Sequence, residues 1–381
     1  MSSSAPTAHG RGPWLRYREE TSGGRRASWL ELLFDLVFVV AVAELADRLH
    51  RDPSAAAALA FAALAVPVVW SWMNVTFYAD QFDTDDVPFR LAVFAAMLAV
   101  LVLAGGLDSA STGFVLGYVA LKGVMVGLYG RAGLAEDDPD TRRFCVACVV
   151  AYLAGGALWA VSLAFNAPVR QALWALGLAI EIGTPAIGPS VFARMRVHLH
   201  HIPERFGLFT IIVIGETVVV SALGVTEWRT ASALVAAAGL GLVCAVWWLY
   251  FDRQEEIHLR PTIRPNLVFI YGHIPLLAAL NAAAVGVEFA VEHAGPEPLE
   301  RAERLILGGG AAATLLALTA VQAATLDGLP RREVALRLAG AAAALAAGAA
   351  PLPPLAAVGV VAAIAAALAA AGRAAHPAPQ R

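Results

Sequence analysis

The chain has 381 residues, of which 59% are hydrophobic and 15% charged, with a formal net charge of -3. Soluble domains carry about 45–50% apolar and about 25% charged residues, so this composition excludes a surface mainly wetted by water. A nucleic-acid footprint is also excluded, because the arginines are spread over many short segments instead of forming a basic patch.

Residues 1–28 contain Arg11, Arg16, Arg18, Arg25 and Arg26 without an apolar stretch, and are read as a disordered cytoplasmic tail. Apolar segments then recur at 30–49, 56–77, 89–107, 113–130, 144–163 and 169–187, and again at 206–223, 231–250, 267–289, 305–323, 334–349 and 355–371. At about 1.5 Å rise per residue, each is long enough, or nearly so, to cross a hydrocarbon core of about 30 Å. The expected fold is all-α, a polytopic transmembrane helical bundle of about 12 spans. Ten or eleven remain compatible, because 341–350 is almost purely alanine. The chain divides into a first half at 29–190, a cytoplasmic connector at 191–205, a second half at 206–372 and a disordered tail at 373–381.

Arginine placement gives the orientation. With a cytoplasmic N-terminus, the inside segments hold Arg131, Arg142, Arg143, Arg194, Arg196, Arg205, Arg253, Arg260, Arg264, Arg331, Arg332 and Arg337. The outside segments hold only Arg48, Arg51, Arg170, Arg229, Arg301 and Arg304. The asymmetry predicts both termini inside. An internal repeat is also expected. The acid-bearing first span, WLELLFDLVFVVAVAEL, has a counterpart in the seventh, IPERFGLFTIIVIGETVVV, and the aromatic ends of the second and eighth spans follow in the same order. An offset of six spans preserves orientation, which makes the halves parallel six-helix repeats.

Carboxylates within hydrocarbon cost about 2.5–3.5 kcal/mol on insertion scales, so they concentrate at protected or functional positions. Glu31 and Asp35 are four residues apart and share one helix face, whereas Glu44 lies about 13 Å beyond Asp35 on the opposite face. Glu216 is the most isolated acid, with Gly215 beside it permitting close helix approach. Asp35, Glu44, Glu216, Glu31 and Glu288 are the proton- or cation-binding candidates. Lys122, His201, Glu204, Arg205, Asn74, His273, Asn281 and Asp252 are the supporting polar or gating candidates. Lys122, the sole lysine, is expected to pair with Asp35, Glu44 or Glu216.

No cofactor or metal site is expected. Cys145 and Cys148 form a CxxC without the second pair or histidine of a structural zinc site, and read as small hydrophobes. In ARMRVHLHHIPERFG, His200 and His201 are adjacent and point in different directions, so with His198 they read as part of a solvated connector. There is no GxxxxGK[ST], no GxSxG and no HExxH, which argues against an enzyme.

The segments at 27–45 and 201–219, with Trp247, Trp248, Tyr250, Phe251, Asp252 and Arg253, closely resemble the bacterial low temperature requirement protein A family. The resemblance extends over about 28–371 and maps onto Glu31, Phe34, Asp35, His201, Glu204, Arg205, Gly215 and Glu216. It implies a multi-pass bacterial membrane protein; the family's name records a growth phenotype and carries no activity with it.

Acids spread over several spans point first to a transporter or ion-conducting protein of the bacterial plasma membrane, moving a proton or cation with a small solute. A membrane-embedded lipid-modifying enzyme and a non-transporting sensor or scaffold are the alternatives. Membrane lipids are the expected partners, and nucleic acid is not.

Overall fold

In the computed structural model the described residues are 16–17, 27–83, 85–108, 110–187, 201–223, 229–254, 257, 263–325 and 328–375. The rest of both expected tails, and residues 191–200 of the connector with His198 and His200, lie outside them. Twelve helices form among the described residues: α1 (Trp29–Arg51), α2 (Ala55–Gln81), α3 (Val87–Gly105), α4 (Thr112–Ala135), α5 (Pro139–Ser162) and α6 (Val169–Ile187). The second set is α7 (His201–Leu223), α8 (Thr230–Phe251), α9 (Ile263–Glu292), α10 (Arg301–Thr325), α11 (Arg331–Ala349) and α12 (Pro354–Ala375). Their order follows the apolar segments of the sequence, except that α7 begins at His201 instead of Phe206. His201, Glu204 and Arg205 therefore ride on a helix and not in the connector.

Eight of these helices, α2 to α5, α8 to α10 and α12, are long and apolar enough to cross a membrane by length and composition. The helical form follows from the solvent: without water, backbone N–H and C=O groups must be paired within their own segment. The ends carry local stop and start signals. Ser28 and Glu31 form a reciprocal capping box on α1, and the Ser54, Asp86 and Asp138 side chains accept from the first turns of α2, α3 and α5. The departure from helix is short: Arg16–Tyr17 (β1) pairs antiparallel with Phe82–Asp83 (β2).

The surface is inverted relative to a soluble bundle. Leu36, Leu59, Leu98, Val150 and Leu153 are exposed on helix exteriors, while Asp35, Asn74, Lys122, Glu181 and Arg205 are buried. Small residues close the helix contacts. On α10, a Cβ added at Gly308 would meet the Gly348 Cα of α11 at 2.7 Å, so these backbones pack closer than a side chain allows. Gly215 permits such an approach, but no described atom lies within 4 Å of a Cβ built there.

Neighbour relations recur along the chain. Contacts of α1 with α2 and α3, then α3 with α4, α4 with α5 and α5 with α6, are matched by α7 with α8 and α9, α9 with α10, α10 with α11 and α11 with α12. The two sets meet where α1 and α2 pack against α7 and α9, which places the charged first and seventh helices at the contact between halves.

Candidate functional site

The contact between halves is centred on a buried carboxylate. Asp35 on α1 accepts from Arg205 Nη2 on α7 at 2.7 Å and from Trp72 Nε1 on α2 at 2.7 Å, both onto Oδ1. Asp35 is 0% and Arg205 1% exposed. At such depth a lone charge carries a penalty of several kcal/mol, which the opposite charge and the indole N–H offset. Trp72 is held in place by stacking on Phe209 at 4.3 Å between ring centroids and by an edge contact with Phe206 at 5.0 Å. One turn earlier on α7, His201 Nδ1 donates to Asp80 Oδ1 on α2 at 3.0 Å. The HIPERFG segment thus fastens α7 to α1 through an ion pair and to α2 through a hydrogen bond.

This network is incompletely satisfied. Asp35 Oδ2, Arg205 Nε and Nη1, Thr76 Oγ1 and His201 Nε2 are buried and have no hydrogen-bond partner among the described residues. A cavity of ≈ 10 Å³ touches Thr76 and Arg205 of this set, and its lining is otherwise apolar except for Glu31. That volume is about the size that admits one water molecule. Glu31 itself is committed in part to the helix cap, one carboxylate oxygen accepting from Ser28 N–H at 2.6 Å.

A second buried pair sits wholly within the first half and corrects an expectation. Lys122 on α4 does not pair with Asp35, Glu44 or Glu216; its Nζ lies 2.7 Å from Glu181 Oε2 on α6. Glu181 Oε2 also accepts from Trp70 Nε1 at 2.8 Å and Tyr118 OH at 2.9 Å, and Lys122 donates to Asn74 Oδ1 at 3.3 Å. Asn74 in turn donates to the Trp70 carbonyl. The ammonium lies 4.3 Å from the centroid of the Tyr118 ring, which adds a cation–π contact. Gly155 on α5 makes room for this arrangement, because a Cβ there would collide with the Glu181 carboxylate.

In the second half, Tyr250 and His273 are 2.9 Å apart, and His273 Nδ1 lies 2.6 Å from the Phe269 carbonyl. A carbonyl only accepts, so Nδ1 carries the proton and Nε2 accepts from the Tyr250 hydroxyl. Asn281 donates from Nδ2 to the Val42 carbonyl at 2.9 Å, tying α9 to α1. Asp252 is exposed and accepts from Trp248 Nε1 at 3.1 Å, apart from the buried clusters. Glu44, Glu204 and Glu216 are half-buried on their helices. Glu288 lies 3.3 Å from His50, near the end of α1 remote from Asp35. The structure thus brings Asp35 and Arg205 together, with His201 one turn away on α7, while Glu44, Glu216 and Glu288 lie apart from that pair.

Glu181 is visible in the sequence as an acid inside an apolar segment, but nothing in its spacing selects Lys122 as its partner. The ion pair on α11 was not singled out. Arg337 and Glu333 on α11 form a 2.6 Å pair, and Arg337 donates to Gln322 on α10 at 2.6 Å. Their four-residue spacing was the available signal.

Residues 26–370 match the family described as bacterial low temperature requirement A protein (LtrA). The chain belongs to this family. The match spans nearly the whole described bundle, from the α1 cap to the last turns of α12, and includes the Asp35, Trp72, Lys122, Glu181 and Arg205 networks. An uncharacterized protein of Rhizobium meliloti (strain 1021) is similar, 28% identical over 306 residues that cover 74% of this chain and 73% of the relative. Family membership and the apolar helices together make this LtrA chain a multi-pass membrane protein.

Proposed function

We infer that this LtrA chain is a transporter or ion-conducting protein of the bacterial plasma membrane, coupled to a proton or cation. Two parallel six-helix halves move against each other at the contact of α1 and α2 with α7 and α9. The observation that carries the reading is the Asp35–Arg205 pair: it joins the two halves, is sealed from solvent, and leaves buried polar atoms on both partners without hydrogen bonds among the described residues. A pair made only to hold helices would gain from having those atoms satisfied. The cavity beside Glu31 and Arg205 has room for one water, the smallest link that connects a helix-end carboxylate to the buried pair. With both termini cytoplasmic, Asp35 and Arg205 lie toward the inner side and Glu216 and Glu288 toward the outer side. Buried acids at two depths then take and release protons or cations in turn.

The reading is tested in proteoliposomes by following ion flux with and without a pH gradient. Glu216→Gln is expected to abolish gradient-dependent flux while folded protein accumulates normally. Unchanged flux in Glu216→Gln removes Glu216 from the mechanism, and no flux in the parent protein removes transport.

A scaffold or sensor is the second reading. It is favoured by a cavity of ≈ 30 Å³ in the second half, whose lining, including Ile214, Leu242, Leu280, Leu315 and Val361, is apolar except for Thr314. Lipid chemistry is disfavoured, since the ≈ 10 Å³ space at Glu31 and Arg205 is too small for a headgroup.

A further inference from the structure

His50 stands in the last turn of α1, about 22 Å along the helix from Asp35 at 1.5 Å per residue. Glu288 and Glu292 stand one turn apart near the end of α9, so their carboxylates share a face. The helices bring the three together: Glu288 Oε2 is 3.3 Å from His50 Nδ1, and Glu292 Oε2 is 3.3 Å from His50 Nε2. One ligand atom from each residue falls within 4.8 Å of the others. The imidazole is fixed in orientation by stacking on Phe289, with ring centroids 4.5 Å apart and planes at 12°.

Two features separate this cluster from ordinary ion pairs. Although Glu288 is near, His50 Nδ1 is buried and makes no hydrogen bond among the described residues, so a ring nitrogen is left available. The charge is also unbalanced. Two carboxylates face one imidazole. The other basic side chains of these helix ends have partners of their own: Arg48 donates to the Leu107 carbonyl, Arg51 pairs with Asp47 and Asp108, and His293 lies against Glu303. A divalent cation balances this excess where a single imidazolium does not.

We propose that His50, Glu288 and Glu292 form a binding site for a divalent transition-metal ion of the zinc class, clamping the end of α1 to the end of α9. One imidazole nitrogen and two carboxylate oxygens are a donor set such ions take, at about 2.0–2.2 Å each, with further positions open to water. The two carboxylates now face different ring nitrogens, so taking up one ion requires one glutamate side chain to swing toward the nitrogen that its neighbour faces. The site is independent of the transport reading and stands even if no solute moves.

The test uses the full chain without an affinity tag, purified in detergent, stripped with a chelator and titrated with Zn²⁺ by calorimetry. One equivalent is expected to bind at this site. His50→Ala, Glu288→Gln and Glu292→Gln are each expected to weaken it at least tenfold, while His201→Ala leaves it unchanged. Diethylpyrocarbonate modification of the unaltered protein, read by mass spectrometry, is independent of any variant's folding. Zn²⁺ should protect His50 and leave His293 reactive. Equal binding by the three variants, no binding by the parent chain, or unchanged His50 modification in Zn²⁺ each overturns the proposal.

Discussion

Asp35 and Arg205 are 170 residues apart in the chain and 2.7 Å apart in the fold, and neither is accessible to solvent. Removing either charge strands the other in a low-dielectric interior, which costs about 3–5 kcal/mol, more than the net worth of the intact pair. Asp35→Asn and Arg205→Met are therefore each expected to destabilise by about that amount. The double variant should recover most of the loss. Unfolding free energies in mixed micelles form the cycle that checks this, and strictly additive losses would show that the pair is not coupled.

Lys122 offers a simpler probe because it is the sole lysine. Its ammonium lies 2.7 Å from the Glu181 carboxylate and the residue is 1% exposed. An amine-directed reagent should label the native protein at its terminus only, with Lys122 reacting after denaturation. Glu181→Leu should cost about 3–5 kcal/mol, and adding Lys122→Met should restore much of it. Labelling of native Lys122 at the rate of a free amine would falsify the buried pair.

How far the sequence foretells this arrangement differs between the two pairs. Helix order and the embedded charge of Asp35 were readable, because charge inside an apolar segment is conspicuous and a four-residue spacing fixes a shared face. Arg205, assigned to the connector, joins a helix only because α7 begins at His201. Partner choice was not readable. Periodicity states which residues lie together on one helix, whereas Lys122 meets Glu181 because α4, α5 and α6 pack in series and Gly155 leaves space for the carboxylate. The same holds for His50 with Glu288 and for Tyr250 with His273, each set by which helices become neighbours. Gly215 failed as a signal for the converse reason: a glycine permits a close approach but does not bring a helix to it.

At the helix ends, Asp86 does two jobs. Its side chain accepts from Phe89 N–H as the N-cap of α3, and it pairs with Arg131 on α4. Burial acts to raise its carboxyl group, but the hydrogen bonds from Arg131 and Phe89 outweigh it and hold the group below the ordinary aspartate value. A folded-state value lower than the unfolded one means that the unfolded chain binds the proton more readily. The stabilisation is thus complete above the ordinary value of about 3.9 and disappears as pH falls through the lower folded-state value. Asp86→Asn keeps a good capping residue and removes the charge, whereas Asp86→Ala also loses the cap, a further cost of about 0.5–2 kcal/mol. The gap between the parent protein and Asp86→Asn should close on acidification and the gap between the two variants should not. Unfolding midpoints measured from neutral to acid pH distinguish the two contributions.

Gly308 and Gly309 are adjacent on α10 and should respond oppositely to alanine. At Gly308 an added Cβ meets the Gly348 Cα at 2.7 Å, and because that neighbour is backbone it cannot swing aside. The helices must separate, losing contacts along the α10–α11 seam, and overpacking of this kind costs about 1–3 kcal/mol. At Gly309 a Cβ has no neighbour within 4 Å, so no seam is disturbed. What remains there is the backbone: alanine is favoured over glycine in a helix by about 0.8–1.0 kcal/mol, because it gives up less conformational freedom on folding. Gly308→Ala should lower the thermal midpoint in micelles, and Gly309→Ala should hold or raise it. Equal destabilisation by both would mean that α10 tolerates no added volume on either face, and that the seam is not what singles out Gly308.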